Sequence, residues 1–154
     1  MKSLLIVISI HHNNTGKIAE TIAKVLDAQI KKPSQINPEE ITEFDLIGFG
    51  SGIYDYTTHK ALSNLADKLP NVNNKKAFIF STGGLSNKRK AQKDHSKLRE
   101  KLESKGYKIV NEFQCKGFNT NSFLKYFGGM NKGRPNDEDH KNAKEFAEKL
   151  MQNE

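Results

Sequence analysis

A doubly wound α/β domain is the fold this sequence predicts: three αβα layers around a five-stranded parallel sheet in the order 2-1-3-4-5. Three observations carry it. Short apolar runs recur at residues 4–8, 46–50 and 76–80, as buried strands do. Stretches with apolar residues at helical spacing separate them. Alternation of this kind yields a parallel sheet covered on both faces and joined by right-handed crossovers. The 154 residues suffice for one such sandwich and point to a single domain over residues 1–154.

The first strand is Leu4-Leu5-Ile6-Val7-Ile8. A helix is predicted over residues 15–27, where Ile18, Ile22, Val25 and Leu26 share a face and Asn14 or Thr15 serves as N-cap. Residues 28–32 read as an edge strand whose lysines discourage further pairing, ended by Pro33. Asn37, Pro38, Glu39 and Glu40 supply a cap, a first-position proline and two first-turn acids, and so predict a short helix. The third strand, 46–50, leads into a polar loop over 51–58, then a helix bearing Leu62, Leu65, Ala66 and Leu69 that Pro70 stops. The fourth strand spans 76–80, with a loop from Ser81. Ala91, His95, Leu98 and Leu102 mark one thinly apolar helix closing at Gly106, and residues 107–114 the fifth strand. The connection 116–135, with Phe118, Phe123, Tyr126 and Phe127, exceeds the usual loop length and predicts local helix or a functional role. Asn136 caps a last helix with Ala143, Phe146, Ala147, Leu150 and Met151 as its apolar face. No internal repeat or low-complexity tract interrupts the pattern.

Lys and Arg outnumber Asp and Glu by 25 to 18, a formal charge of +7. That suits an acidic partner or plain solubility, and by itself supports nucleic-acid binding only weakly. Cys115 is the only cysteine, which excludes an intramolecular disulfide and a multi-cysteine metal centre. On a strand it reads as a small buried hydrophobe rather than a reactive thiol. The apolar run after Lys2 is about seven residues, at the lower limit for a signal peptide, and no small-residue cleavage site follows. Nothing approaches the ~18 apolar residues of a membrane span. A soluble, cytoplasmic protein is the expectation.

In a doubly wound sheet, ligands bind beyond the carboxyl ends of the strands, at the switch point between the first and third. Loops 9–15, 51–58 and 81–86 meet there, all rich in Ser, Thr, Gly, Asn or Tyr. The first, Ser9-Ile10-His11-His12-Asn13-Asn14-Thr15, joins a buried strand to a helix start, the geometry that aims backbone N–H groups at an anion. It holds hydroxyls and amides and no carboxylate, as a phosphate cradle would; a polar loop that merely caps a helix accounts for the same residues. No G-x-G-x-x-G fingerprint follows the first strand, and Gly16-Lys17 lacks the preceding glycine and following Ser or Thr of a Walker A loop. A phosphomonoester held by hydroxyls and helix-start amides remains.

The run Ser9-x-His11-His12-x-Asn14-Thr15 resembles the phosphate loop of the flavodoxin family, Ser/Thr-x-Thr-Gly-Asn-Thr, with one extra residue and His11-His12 where Thr-Gly stands. Gly50-Ser51-Gly52-Ile53-Tyr54 is similar to the family's loop after the third strand, and Ser81-Thr82-Gly83-Gly84 stands where its second ring-binding loop lies. Element order agrees over nearly the whole chain, while the residue-level match is confined to these loops. The resemblance implies a flavodoxin-like fold, bound FMN and one-electron transfer. It implies that Ser9, Asn14 and Thr15 bind the phosphate, with amide or side-chain contacts from His11, His12 and Asn13. It places Ser51, Gly52, Ile53, Tyr54, Asp55 and Tyr56 in one ring-binding loop, with Tyr54 as the stacking aromatic and Tyr56 as the alternative. Ser81, Thr82, Gly83 and Gly84 form the other. The glycines let backbone approach the ring, or simply make turns. A metal on His11-His12 is disfavoured, because adjacent histidines point apart and no carboxylate stands near. Beside a phosphate a histidine favours its protonated form, which makes affinity pH-dependent. His59, His95 and His140 read as surface or helix-face residues.

Between residues 86 and 108, nine basic residues stand against Asp94, Glu100 and Glu103, nearly the whole positive excess. Flavodoxins are typically acidic, so this departs from the resemblance. The patch is a solvated helix face or a docking surface for an acidic redox partner at Lys88, Arg89, Lys90 and Lys93. Acids near the loops are few, Asp55 the clearest, which predicts for a bound flavin a semiquinone/hydroquinone couple less negative than in an acidic relative. No acid–base or nucleophile constellation appears, which suits an electron carrier more than a catalyst in its own right. Two other classes stay open. An NAD(P)H-dependent FMN or quinone reductase of the same fold is distinguished by rapid reduction with NADH or NADPH and no partner. A flavin-free binding module using the basic helix is distinguished by indifference to FMN, and on nucleic acid by a steep salt dependence.

Overall fold

The computed structural model describes residues 1–10, 12–84, 87–118, 129 and 131–152. In chain order they form β1 (Ser3–Ile8), α1 (Asn14–Leu26), β2 (Gln29–Lys31), β3 (Leu46–Tyr54), β4 (Thr57–Thr58), α2 (Lys60–Lys68) and β5 (Lys75–Gly83). Then come α3 (Lys88–Asp94), α4 (Ser96–Ser104), β6 (Tyr107–Lys116) and α5 (Asp137–Gln152), with two 3₁₀ turns between β2 and β3. The parallel sheet runs β2-β1-β3-β5-β6, and the short β4 folds back antiparallel on the end of β3. Without that hairpin strand, this is the predicted order 2-1-3-4-5.

Successive side chains of a strand point to opposite faces, so the sheet carries two cores. Leu4, Ile6, Ile47, Phe49 and Ile79 pack under Leu62 and Leu65 of α2 and Leu98 and Leu102 of α4. Leu5, Val7, Phe78 and Phe80 meet Ile18 and Ile22 of α1 and Phe146 and Leu150 of α5. On this second face β3 offers Leu46 and then, above it, Gly48 and Gly50. A Cβ at Gly48 would come within 2.4 Å of the Phe78 ring, and one at Gly50 within 2.2 Å of the Phe80 ring. The two glycines are therefore seats for the phenyl rings of the neighbouring strand. Phe146 closes edge-on against Phe78 at 5.7 Å between centroids. Each ring so buried stabilises the fold by roughly 1.5–3 kcal/mol.

Several expected boundaries are corrected. β3 continues to Tyr54 and β5 to Gly83, so residues 51–54 and 81–83 are strand rather than loop. The cause is register: Ser51 pairs with both Ile8 and Ser81, and Gly52 with Thr82, so partners already in place extend the ladder through polar residues. The loop after β3 shrinks to Asp55 and Tyr56, both with left-handed backbone (φ 49° and 63°), as a tight two-residue hairpin turn requires. The single helix expected across 91–102 is two, α3 and α4, meeting at His95. The expected helix at Pro38 is the 3₁₀ turn Pro38–Glu43, with Asn37 Oδ1 accepting from Glu39 N at 3.3 Å. His11 and, in the 116–135 connection, Phe123, Tyr126 and Phe127 lie outside the described residues. Among those described, no helix is long and apolar enough to cross a membrane.

Candidate functional site

At the carboxyl edge of the sheet a cleft lies between the loop after β1, the end of β3, the end of β5 and the segment after β6. Ser9, Ile10, Asn14, Thr15, Gly52, Ile53, Tyr54, Thr82, Gly83, Gly84, Gly117 and Phe118 line it, and none of them is a carboxylate. Its volume is small, about 50 Å³, the scale of a phosphate group.

The first wall begins where β1 ends. The chain turns through His12 and Asn13, both left-handed at φ 54° and 50°. Among residues with a Cβ, His and Asn are the types enriched in that conformation, which accounts for them where the resembled pattern has a glycine. Asn13 is the N-cap, not Asn14 or Thr15, and it caps by position, since its side chain makes no cap bond. The expected caps have other partners. Asn14 Nδ2 donates to Phe118 O at 2.8 Å, and the Oγ1 atoms of Thr15 and Thr82 sit 2.8 Å apart in the interior. Ser9 takes over part of the capping: its Oγ accepts from Gly16 N at 3.0 Å and keeps its own O–H to donate. The N–H groups of Asn14 and Thr15, at the first positions of α1, have no intrahelical acceptor and stand at the positive end of its dipole.

Asn14 contributes one more feature, a buried Oδ1 without a hydrogen-bond partner. Of the Thr15–Thr82 pair, one hydroxyl must donate and the other keeps a proton for a further acceptor. Gly117 N donates to Gly83 O at 3.0 Å, which carries the β5–β6 ladder up to the cleft. The His12 ring lies 4.3 Å from that of Phe118 and closes the rim there. Tyr54, half-buried, packs edge-on against His59 at 5.2 Å, and burial pushes its phenol above the usual pKa. It is a neutral aromatic wall.

Other candidates fall outside the lining. Ser51 accepts from His59 N at 3.0 Å, beneath the cleft. Ser81 lies on the sheet face opposite Thr82, its Oγ 2.7 Å from His95 Nε2 and accepting from Gln114 Nε2 at 3.0 Å. Asp55 and Tyr56 occupy the hairpin tip, where Tyr56 is 79% exposed. His12 and Asn13 are exposed at the rim. Ile10 and Gly117 line the cleft although the sequence reading did not single them out, and so does Phe118, which it named only as part of the long connection. For the last two a signal existed: they directly follow a strand that ends at this same edge.

His95, expected on a surface or helix face, is fully buried. Its Nδ1 lies 3.0 Å from Glu112 Oε1, and Arg99 Nη2 donates to the same oxygen at 2.9 Å. Burial drives the Glu112 carboxyl upward, but the bonds from His95 and Arg99 outweigh it and hold the pKa below the usual range. Ser81, His95 and Glu112 stand in the sequence of a nucleophile relay. Both Ser81 and His95 are 0% exposed, however, so the array braces the α3–α4 junction against β5 and β6 and offers no reactive hydroxyl. Cys115 is buried too, and burial pushes its thiol up to about 12. Among the described residues no cluster of His, Cys, Asp or Glu is placed to hold a metal ion.

A family model described as a flavodoxin domain matches residues 5–152. An uncharacterized protein of Methanocaldococcus jannaschii is 49% identical over 153 residues, covering 99% of this chain and 100% of that protein. Among solved structures, oxidised flavodoxin 2 from Bacillus cereus matches with a TM-score of 0.75 at 20% identity, over 100% of both chains. A flavodoxin from the domain Archaea matches at 0.67 and 19% identity, over 96% of this chain and 94% of that one. A flavodoxin of Streptococcus pneumonia TIGR4 matches at 0.72 and 17% identity, over 99% of each. At such identities the structural likeness speaks to the fold.

Proposed function

The chain belongs to the flavodoxin family, and from that premise we propose that it binds FMN non-covalently in this cleft and carries electrons between partner proteins. One observation carries the reading. Anion donors, an unmatched acceptor and an aromatic wall converge on a single cleft that no carboxylate lines among the described residues. FMN is a phosphate ester with a hydroxylated chain and a flat ring, and the cleft has a counterpart for each.

Ser9 O–H and the first amides of α1 would hold the phosphate. Asn14 Oδ1 would accept from a hydroxyl of the chain, and the Thr15–Thr82 clamp would keep that end rigid. Tyr54 would cover the ring and exclude water, while Gly83 and Gly84 admit it close to the backbone. When bound, the flavin supplies the one-electron chemistry; the chain binds and orients it. Adding FMN to the purified protein tests this: its fluorescence should be quenched saturably, giving a yellow protein. Unchanged FMN fluorescence would overturn the reading.

The basic patch supports an acidic partner. Lys88, Arg89 and Lys90 stand in the first turn of α3, where the helix dipole disfavours cations. Asn87 Oδ1, accepting from Lys90 N at 2.8 Å, provides the cap there. Lys90 is drawn back onto Asp94 and lies 5.7 Å over the Tyr56 ring. Lys88, Arg89 and Lys93 are exposed beside the hairpin that walls the cleft. Cations kept against their own helix's dipole fit a surface whose role is to draw in a negatively charged redox protein.

A further inference from the structure

Behind Tyr54, on the side away from the flavin cleft, lies a second cavity of about 380 Å³, which is within the size range of small-molecule sites. Ile10 and Tyr54 give it apolar walls shared with the cleft. Its polar groups are donors that the fold does not use up. Thr58 is 1% exposed, and its hydroxyl has no hydrogen-bond partner; the buried hydroxyl of the adjacent Thr57 has none either. A β-branched apolar residue would satisfy β4 equally well, so the strand itself does not require these hydroxyls. His59 Nδ1 accepts from Ala61 N at 2.9 Å, which leaves its ring proton on Nε2 as a further donor. Lys60 and Lys97, both exposed, line the same cavity from α2 and α4. The one carboxylate there, Asp55, sits exposed on the turn and is outnumbered.

We propose that this cavity is a second binding site, for a small organic anion: a carboxylate or phosphate ester on a compact apolar body. The apolar walls take the body, and the charge meets Lys60, Lys97 and the Thr58 hydroxyl. The site is separate from the flavin cleft but shares Tyr54 with it, so its occupant sits one side chain away from the cofactor position. This assignment does not depend on FMN binding.

The test uses the full chain, once loaded with FMN and once without it. Benzoate is titrated in while the amide NMR signals of residues 57–60 are followed and the affinity is measured by calorimetry. Saturable shifts at Thr58, His59 and Lys60 are expected, with benzamide, the uncharged analogue, about tenfold weaker. Phenyl phosphate binding more tightly than benzoate would assign the site to phosphate esters, and the reverse order to carboxylates. Thr58→Val, which keeps the shape, and Lys97→Gln should each weaken benzoate several-fold and leave FMN affinity unchanged. No saturable shift, equal binding of benzamide, or shifts confined to residues 9–16 would overturn the proposal. Titrating both forms reads a failure of anion binding separately from a failure of FMN binding.

Discussion

Asn14 has two jobs at the mouth of the cleft, and they impose different demands on its two side-chain atoms. Its nitrogen holds the Phe118 carbonyl, and its buried oxygen has no partner within the protein, as the proposed FMN site requires. Asn14→Ala should therefore weaken FMN about tenfold, and Asn14→Asp about a hundredfold, because the carboxylate also sets a negative charge in an anion site. Fluorescence titration reads both, and unchanged affinity in Asn14→Asp would remove this residue from the site. Two carboxylates among the described residues, Glu112 and Asp139, contribute to the response to acid. Burial alone would raise the pKa of Glu112 and Asp139, yet His95 and Arg99 on the first, and Arg134 and Asn136 N on the second, hold both below their ordinary values. A carboxyl whose pKa is lower folded than unfolded stabilises fully above the unfolded value and loses that contribution as the pH falls through the folded one. Thermal unfolding should thus show stability complete at neutrality and declining below about pH 4. Glu112→Gln should flatten part of that decline, and an unaltered profile would mean the His95 array contributes nothing to it.

At the scale of elements, the β3–β4 hairpin and helix α3 each hold residues that local preference disfavours. Asp55 and Tyr56 both occupy left-handed backbone, where a tyrosine is poorly suited. Replacing the pair by Asn-Gly, the preferred turn for this geometry, should stabilise the protein by about 1 kcal/mol. A fall in the melting temperature would show that Tyr56 contributes through contacts beyond the turn. In α3 the first-turn cations oppose the dipole. Lys88→Glu should raise stability by a few tenths of a kcal/mol while slowing association with an acidic partner. Seeing both effects in one variant, by thermal melts and stopped-flow reduction, separates a docking role from a structural one.

Over the whole molecule, the charge is uneven and the cleft lining is neutral. Reversing Lys88, Arg89 and Lys93 together should slow electron transfer to an acidic partner and abolish its salt dependence, with FMN affinity unaltered. Because no carboxylate among the described residues lines the cleft, adding negative charge to a flavin held there would meet less repulsion than in a relative with acids there. The reduction potential should accordingly be less negative than in such a relative, and anaerobic titration would show it. An equally low potential would place the controlling charges outside the lining.

Periodicity and strand–helix alternation determined by themselves the parallel sheet, its order and the edge at which the cleft opens, because these follow from which faces must be buried. The junction of first strand and first helix also marked the loop 9–15, and its Ser9, Asn14 and Thr15 all line the cleft. What the tertiary structure alone decided depends on neighbours far along the chain. Strand pairing carried Ser51 and Ser81 into the sheet, since a polar residue with partners on both sides stays in the ladder. Packing drew His95 inside, where Ser81 and Glu112 satisfy both ring nitrogens. Gly117 and Phe118 reach the cleft only because β6 runs beside β5, and Asn14 bonds a carbonyl 104 residues away. A local pattern shows which side a residue faces; which distant group meets it there is set by the register of the sheet.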